Sequence, residues 1–213
     1  MYGSSMNSDL GRRDRKKAAT RAALSAAAME LARVRGVEHV TAEAIANAAD
    51  VAPRTFHNYF SSKEEAIVAS LLDQAQGFAD LLRARPAEES MWDALRGAVT
   101  TLFSVPGDQI VDLTCRLQLI HGTPSLLPHA AAMFERVDEV LASAIADRSG
   151  TDIDRDIYPH LQAAAAVAAL KTAMIMWTEG RSSAASLAEA AVSALDQVRA
   201  GVPEPAREPR TPQ

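Results

Sequence analysis

Four polar side chains within five residues have the chemistry needed to read the edges of base pairs. They are Arg54, Thr55, His57 and Asn58. Arginine can donate two hydrogen bonds to guanine, asparagine can pair with adenine, and the threonine methyl group can meet the methyl group of thymine. We interpret the segment as a DNA-reading surface. For each residue taken singly a plain surface role stays open, above all for His57.

Two short helices joined by a turn must position these side chains. Thr41 suits the N-cap of the first helix, because its hydroxyl can accept a free backbone N–H group. Pro53 is tolerated in a first helical turn and predicts a second helix from Pro53 to Tyr59. That helix is too short to persist alone, so we expect Phe56 and Phe60 to anchor it from beneath. This order is the helix-turn-helix pattern, whose second helix enters the DNA major groove.

The stretch from Arg13 to Leu72 resembles the N-terminal DNA-binding domain of TetR/AcrR-type transcriptional regulators. The matching residues are Gly36, Val40, Thr41, Ile45, Ala46, Ala49, Val51, Thr55, Phe56, Tyr59, Phe60, Ser62, Lys63 and Glu64. The resemblance covers roughly a third of the chain and implies phosphate contacts from Thr41, Tyr59 and Lys63.

Three positions depart from the family pattern. Asp50 replaces the usual turn glycine, and because aspartate tolerates positive φ we expect the turn to survive. Ala52 replaces a frequent serine cap, so the second helix loses a capping bond. His57 stands where the family often has an aromatic residue, which weakens the transfer of a DNA contact to that position.

Charge is distributed unevenly along the chain. The net charge is −5, yet residues 1–63 hold ten Lys and Arg against six Asp and Glu, which is +4 and leaves −9 for the remainder. A basic end on an acidic body suits a protein that meets DNA at one end. The basic segment Gly11 to Lys17 includes Arg12 and Arg13, which we interpret as an arm contacting phosphates or the minor groove. A solvated helix start is the alternative.

Composition favours an all-α fold. Apolar residues make up 48% of the 213 positions and aromatic residues only 5%, and no stretch alternates β-branched and polar residues with period two. The single cysteine, Cys115, excludes an internal disulfide and suits a reducing cytoplasm. The apolar run from Ala163 to Trp177 is short for a membrane span and predicts a buried helix.

Helix boundaries predict a DNA-binding head followed by a helical bundle, about nine helices in all. We expect a disordered arm over residues 1–12, the head over 13–62, a body over 63–201 and a disordered tail over 202–213. One helix from Ser62 to Arg85 is the only covalent link between head and body. Five further helices are predicted at about 90–105, 108–120, 125–148, 154–179 and 183–200, bounded by proline and glycine.

The body is similar to the ligand-binding and dimerisation domain of the same family. The resemblance implies a homodimer through the last two long helices, and a central pocket for a small hydrophobic or amphipathic effector of unknown identity. Plain core packing is the alternative for the pocket residues. They are Trp92, Leu95, Phe103, Cys115, Arg116, Leu119, Met133, Phe134, Met174 and Trp177. The polar residues Gln118, His121 and Lys171 could also orient a ligand.

Other classes of function find little support. The histidines lack short metal-ligand spacing, so we expect no metal site and no cofactor. No glycine-rich phosphate loop or nucleophile motif is present, and we therefore expect no enzyme. The sequence predicts a cytoplasmic, ligand-responsive repressor that binds a palindromic double-stranded DNA operator as a homodimer and has no membrane partner. A DNA-binding regulator without a small-molecule ligand, constitutive or controlled by a protein partner, is the alternative.

Overall fold

The computed structural model describes the backbone of residues 4–104 and 107–203 and the side chains of residues 15–104 and 115–203. Over those ranges the chain contains helices and no β-strand, which confirms the all-α prediction. The α-helices are α1 Ser4–Arg35, α2 Ala42–Ala48, α3 Pro53–Phe56, α4 Lys63–Val68, α5 Ser70–Arg83, α6 Met91–Phe103, α7 Gly107–Gly122, α8 Leu127–Ser149, α9 Ile157–Thr178 and α10 Leu187–Arg199. Short 3₁₀-helical segments span Val37–His39 and Pro124–Leu126.

The first helix begins earlier than the sequence predicts. Residues 4–12, expected to be a disordered arm, are helical, because α1 starts at Ser4 rather than near Asp14. This segment contains one glycine and no proline, so extending a helix that is already nucleated costs little per residue. Residues 204–213 of the predicted tail lie outside the described residues.

The turn between α2 and α3 has the predicted chemistry. Thr41 caps α2 by accepting a hydrogen bond from the Ala44 N–H group at 3.2 Å. Asp50 adopts the left-handed conformation with φ of 54°, so aspartate does fill the place of the turn glycine. Ala52 precedes α3 without a side-chain capping bond, as its replacement of serine predicts.

The prediction of a single helix from Ser62 to Arg85 is wrong, because the structure divides this segment into α4 and α5 at Ala69. The Leu72 N–H group bonds to the Ala69 carbonyl at 3.1 Å, three residues back instead of four. No glycine or proline marks this break. All four residues from Ala66 to Ala69 are fully buried, so packing on every side of the segment, rather than local propensity, sets its geometry.

Helix α8 lies at the centre of the body. It packs against α5 and α9, while α10 packs against α9 and α6. The Arg148 guanidinium group at the end of α8 donates to the carbonyl groups of Arg85, Pro86 and Glu89. This arginine therefore fixes the connection between α5 and α6 to the end of the central helix.

Two apolar clusters form the core. The head cluster contains the buried residues of α1 to α4, including Leu24, Ile45 and Phe56, together with Leu71 of α5. It also contains residues that belong to the body in sequence, namely Leu117, Ile120, Leu126, Ala130 and Met133. The body cluster is built from α5, α6, α8, α9 and α10. The core of the head is therefore completed by residues of the body.

Within one chain helix α9 is buried on one side only, and burial of its other side by a partner subunit stays a prediction. In the described part of the chain it is the one helix whose length and composition would allow it to cross a membrane, and 28% of its most apolar window is buried. Its exposed apolar side chains include Ile157, Leu161 and Met176. Together with the exposed small residues Ala164 and Ala168, these form a stripe at helical spacing, which we call the α9 stripe.

Candidate nucleic-acid interface and internal cavity

The recognition helix is shorter than predicted. Helix α3 covers only Pro53–Phe56, and residues 57–59 continue as a turn instead of extending the helix to Tyr59. The Asn58 N–H group bonds to the Thr55 carbonyl at 3.1 Å, and the Tyr59 N–H group to the Phe56 carbonyl at 2.9 Å. These three-residue spacings tighten the chain into 3₁₀ geometry, as often happens at helix ends.

Two phenylalanines anchor this short segment from beneath, as the sequence predicts. Phe56 is 1% exposed and Phe60 is 2% exposed, and their ring centroids lie 5.8 Å apart. The Arg21 guanidinium carbon of α1 lies 4.7 Å from the Phe60 ring centroid. A cation over an aromatic ring stabilises such a contact, so α1 holds the anchor in place.

The predicted base-reading side chains lie on the outer side of this anchor. Arg54, His57 and Asn58 are exposed, and Thr55 is half-buried. The His57 ring meets the Phe56 ring edge to face at 5.3 Å, which ties it to the anchor. The structure thus presents all four side chains on one short segment, and their contacts with bases stay a prediction.

The predicted phosphate-contacting residues lie around the same segment. Thr41 is exposed at the start of α2, and Tyr59 is half-buried against the head cluster. Lys63 is not a free surface lysine. Its Nζ atom donates to the Val37 carbonyl at 2.9 Å and to the Glu38 carbonyl at 3.4 Å. The side chains of Arg12 and Arg13 lie outside the described residues.

The start of α4 is locked by a capping network. Ser62 accepts a hydrogen bond from the Glu65 N–H group at 3.1 Å. The Glu65 carboxylate accepts from the Ser61 N–H group at 2.8 Å and from the Ser61 hydroxyl at 2.7 Å. Burial raises the pKa of Glu65, but these two bonds together with the charges of Arg21 and Arg136 outweigh it and leave the pKa below its usual value. Lys63 is therefore held at a rigid helix start.

An internal cavity of about 520 Å³ opens in the body. That volume lies within the usual range for small-molecule sites. Most of the wall is apolar, and its polar members are Gln74, Arg116 and Lys171. The apolar members are Leu71, Ala75, Phe78, Leu102, Phe103, Phe134, Val137, Leu141, Val167, Leu170 and Met174.

Four of the ten predicted pocket residues lie in this wall: Phe103, Arg116, Phe134 and Met174. The other six lie elsewhere. Leu95 is buried in the body cluster, and Trp92 and Trp177 pack against that cluster. Met133 is buried in the head cluster, Leu119 packs against it, and Cys115 is a half-buried free thiol.

Helical spacing could have found most of the wall residues that sequence reasoning missed. On α5 they are Leu71, Ala75 and Phe78, at positions i, i+4 and i+7. On α9 the wall residues are Val167, Leu170, Lys171 and Met174, at i, i+3, i+4 and i+7. The α8 residues Phe134, Val137 and Leu141 follow at i, i+3 and i+7. Each set is one face of one helix.

Charged groups gather at one side of the cavity. The Lys171 Nζ atom lies 5.3 Å from the Phe134 ring centroid. Burial raises the pKa of Asp138, and the nearby charge of Lys171 opposes that shift. Burial lowers the pKa of His121, with Glu179 opposing the shift and Lys171 adding to it. Gln118 is used elsewhere, because its Nε2 atom donates to the Thr178 carbonyl at 2.8 Å.

Three side chains belong to both the cavity and the head cluster. Leu71, Phe134 and Met174 line the cavity; Leu71 is a buried member of the head cluster, and Phe134 and Met174 pack against it. Arg116 also reaches towards the head, since its charge adds to that of Arg33 in lowering the pKa of Glu30 on α1. A molecule in the cavity would therefore touch groups that contact the DNA-binding head. Within the described ranges no three His, Cys, Asp or Glu residues cluster as metal ligands do.

Comparisons with known proteins agree with this architecture. Residues 24–69 match the family described as bacterial regulatory proteins, tetR family, and residues 89–203 match the MftR C-terminal domain. The chain is 33% identical over 196 residues to the HTH-type transcriptional regulator TcmR of Streptomyces glaucescens, covering 89% of this chain and 87% of that protein.

Solved structures share the fold. The TetR-family repressor FadR of Thermus thermophilus, in complex with lauroyl-CoA, aligns with a TM-score of 0.56 at 21% identity and covers 91% of this chain and 99% of its own. A TetR transcriptional regulator from Rhodococcus sp. RHA1 aligns with a TM-score of 0.59 at 20% identity, covering 86% and 97%.

Proposed function

Because this chain belongs to the TetR family of DNA-binding transcriptional regulators, which are not enzymes, we propose that it is a homodimeric repressor. It binds a palindromic operator and is released by a small molecule. The observation that carries the proposal is the polar surface formed by Arg54, Thr55, His57 and Asn58. The buried pair Phe56 and Phe60 anchors this surface from beneath. Membership of a family of DNA-binding regulators also supports a cytoplasmic location.

Base reading falls to Arg54, Thr55 and Asn58. Arg54 and Asn58 are exposed and Thr55 is half-buried. The side chains of Arg54, Thr55 and Asn58 suit guanine, thymine and adenine respectively. Asn58→Ala should relax the base preference at one position of each operator half-site, which selection from a random DNA pool would measure. Asn47→Ala is the matched control, because Asn47 is an exposed asparagine on α2. An identical selected motif for Asn58→Ala and the parent would remove Asn58 from base reading.

Phosphate contact falls to Lys63, Thr41 and Tyr59. Two backbone carbonyls hold the Lys63 ammonium group in place, so a third N–H donor could meet a phosphate at little entropic cost. Lys63→Met should weaken binding to all DNA sequences and reduce the salt slope by about one. Arg155→Met, at an exposed arginine of the body, should leave the slope unchanged. An unchanged slope for Lys63→Met would exclude this contact.

Dimerisation falls to the α9 stripe. A row of exposed apolar and small residues along the most apolar helix needs a partner, and a second copy of the same helix would cover it. Leu161→Glu should convert the dimer to a monomer in analytical ultracentrifugation. Val34→Glu is the control, because Val34 and Leu161 are both 64% exposed and Val34 lies on α1. A dimeric Leu161→Glu variant would contradict this assignment.

Ligand response is proposed to run from the cavity through Phe134 and Met174 to the head cluster. A ligand that binds better to the head spacing incompatible with DNA weakens DNA binding, and DNA weakens ligand binding by the same factor. A coupling of about 1–3 kcal/mol corresponds to roughly 5- to 150-fold derepression. Met174→Ala should reduce that factor in fluorescence-anisotropy titrations of operator DNA with and without ligand. A ligand that binds without changing operator affinity would leave the protein a DNA-binding regulator without an effector.

A further inference from the structure

We propose that the cavity selects apolar molecules that carry one anionic group, and that Lys171 is the residue that determines this preference. The inference rests on the proposed function, because it names the chemical class of the effector. It comes from the distribution of charge in and behind the cavity wall.

The wall itself carries positive charge and no carboxylate. Its only ionisable members among the described residues are Arg116 and Lys171, and all the others are apolar apart from Gln74. A cationic ligand would bring a further positive charge close to Lys171 in a largely apolar space, where like charges repel. A neutral ligand would offer the lysine no charge partner. An anion is the class that the Lys171 ammonium group favours.

Lys171 is placed to receive such an anion. In the described part of the chain it forms no hydrogen bond and no ion pair, and its recorded contact is the Phe134 ring at 5.3 Å. An ammonium group has three N–H donors. A ligand oxygen could accept from one of them, and such a bond is stronger when the oxygen carries a negative charge.

The Asp138 carboxyl group interacts with the charge of Lys171, but among the described residues the two groups form no ion pair. Asp138 is absent from the cavity wall, and its Oδ1 atom is buried without a hydrogen-bond partner among the described residues. Burial raises the pKa of this carboxyl group, which means that its environment disfavours the negative charge. Lys171 is therefore a cation that faces the cavity, and the carboxyl group of Asp138 behind it is poorly solvated. A ligand anion would compete with Asp138 for Lys171.

The test uses three probes of equal chain length and different charge: decanoate, decanol and decyltrimethylammonium. Isothermal titration calorimetry on the full-length protein, below the micellar range of each probe, should show decanoate binding about 10-fold or more tightly than either of the others. Lys171→Met keeps the aliphatic stem and removes the charge. It should abolish the preference by weakening decanoate while leaving decanol unchanged.

The Asp138→Asn variant should change decanoate binding in the direction opposite to Lys171→Met. Removing the competing carboxylate should strengthen decanoate binding severalfold and leave decanol unaffected, which a merely structural role for Asp138 would not produce. Decanol binding as tightly as decanoate, or no binding of decanoate, would overturn the inference. Operator binding is measured separately on the same proteins. Loss of operator binding with an intact anion preference would overturn the proposed function and leave the inference standing.

Discussion

The head cluster and the body cluster are packed in different ways. Alanine supplies 11 of the 21 buried residues of the body cluster and 6 of the 20 in the head cluster. Alanine lets helices approach closely but fills little volume, and the cavity of about 520 Å³ lies beside this alanine-rich core. The head instead buries large side chains such as Phe56, Phe60 and Ile67. The contrast indicates that the surface proposed to read DNA rests on a tightly packed core, while the part proposed to bind a ligand contains a cavity.

Truncating one phenylalanine in each region should give the largest effects and the clearest contrast. Phe56→Ala should lower the free energy of unfolding by about 3–5 kcal/mol, because the ring is fully enclosed. Phe78→Ala should cost about 1–2 kcal/mol less, because that ring already borders the cavity and has fewer atoms around it. Urea denaturation measures both values. Equal losses in the free energy of unfolding would contradict the inference that the head is packed more tightly than the body.

A second pair tests whether body residues complete the head. Ile120 of α7 and Ile145 of α8 are both fully buried, but Ile120 lies in the head cluster and Ile145 in the body cluster. Each substitution by alanine should cost about 2–5 kcal/mol. Only Ile120→Ala should also accelerate amide hydrogen exchange in α2, because it loosens the head locally. Unchanged exchange in α2 would mean that the head is independent of α7.

The turn before α3 allows a smaller test of head rigidity. Asp50 has φ of 54°, a conformation that costs a β-branched residue roughly 1–2 kcal/mol. Asp50→Val should therefore lower thermal stability and also weaken operator binding by misplacing α3. Asp50→Gly fits the same backbone and should keep both properties near those of the parent. Thermal unfolding and anisotropy titration separate the two variants, and equal behaviour would show that φ at this turn does not matter.

The smallest expected effect is a gain in stability. Ala52 precedes α3 with extended backbone and no capping bond, so Ala52→Ser should add about 0.5–1 kcal/mol by accepting a free N–H group. Ala48→Ser is the control: Ala48 is the last residue of α2, where serine lowers helix propensity slightly. Differential scanning calorimetry would distinguish the gain in stability expected for Ala52→Ser from the slight loss expected for Ala48→Ser. A destabilised Ala52→Ser variant would show that α3 does not begin where its proline suggests.

Sequence reasoning predicts the head better than the body for a physical reason. Thr41, Pro53 and the pair Phe56 and Phe60 act over one or two helical turns, so their consequences can be read locally. Which face of a body helix meets the cavity depends on how several helices pack, and Leu95 and Met133 turn out to lie in solid core. The break at Ala69 likewise has no local signal, because burial on all sides sets it.

The shared core of the head has a practical consequence for engineering. A chimera that joins residues 13–62 to the body of another regulator would leave α1 against foreign side chains, because α1 packs against α4, α5 and α7. The transplant would need to carry the matching surface of α7, the 3₁₀ segment and α8, in particular Ile120, Leu126 and Met133. Exchanging DNA specificity between relatives is therefore better done by replacing the polar side chains at positions 54, 55, 57 and 58 and keeping Phe56 than by swapping whole heads.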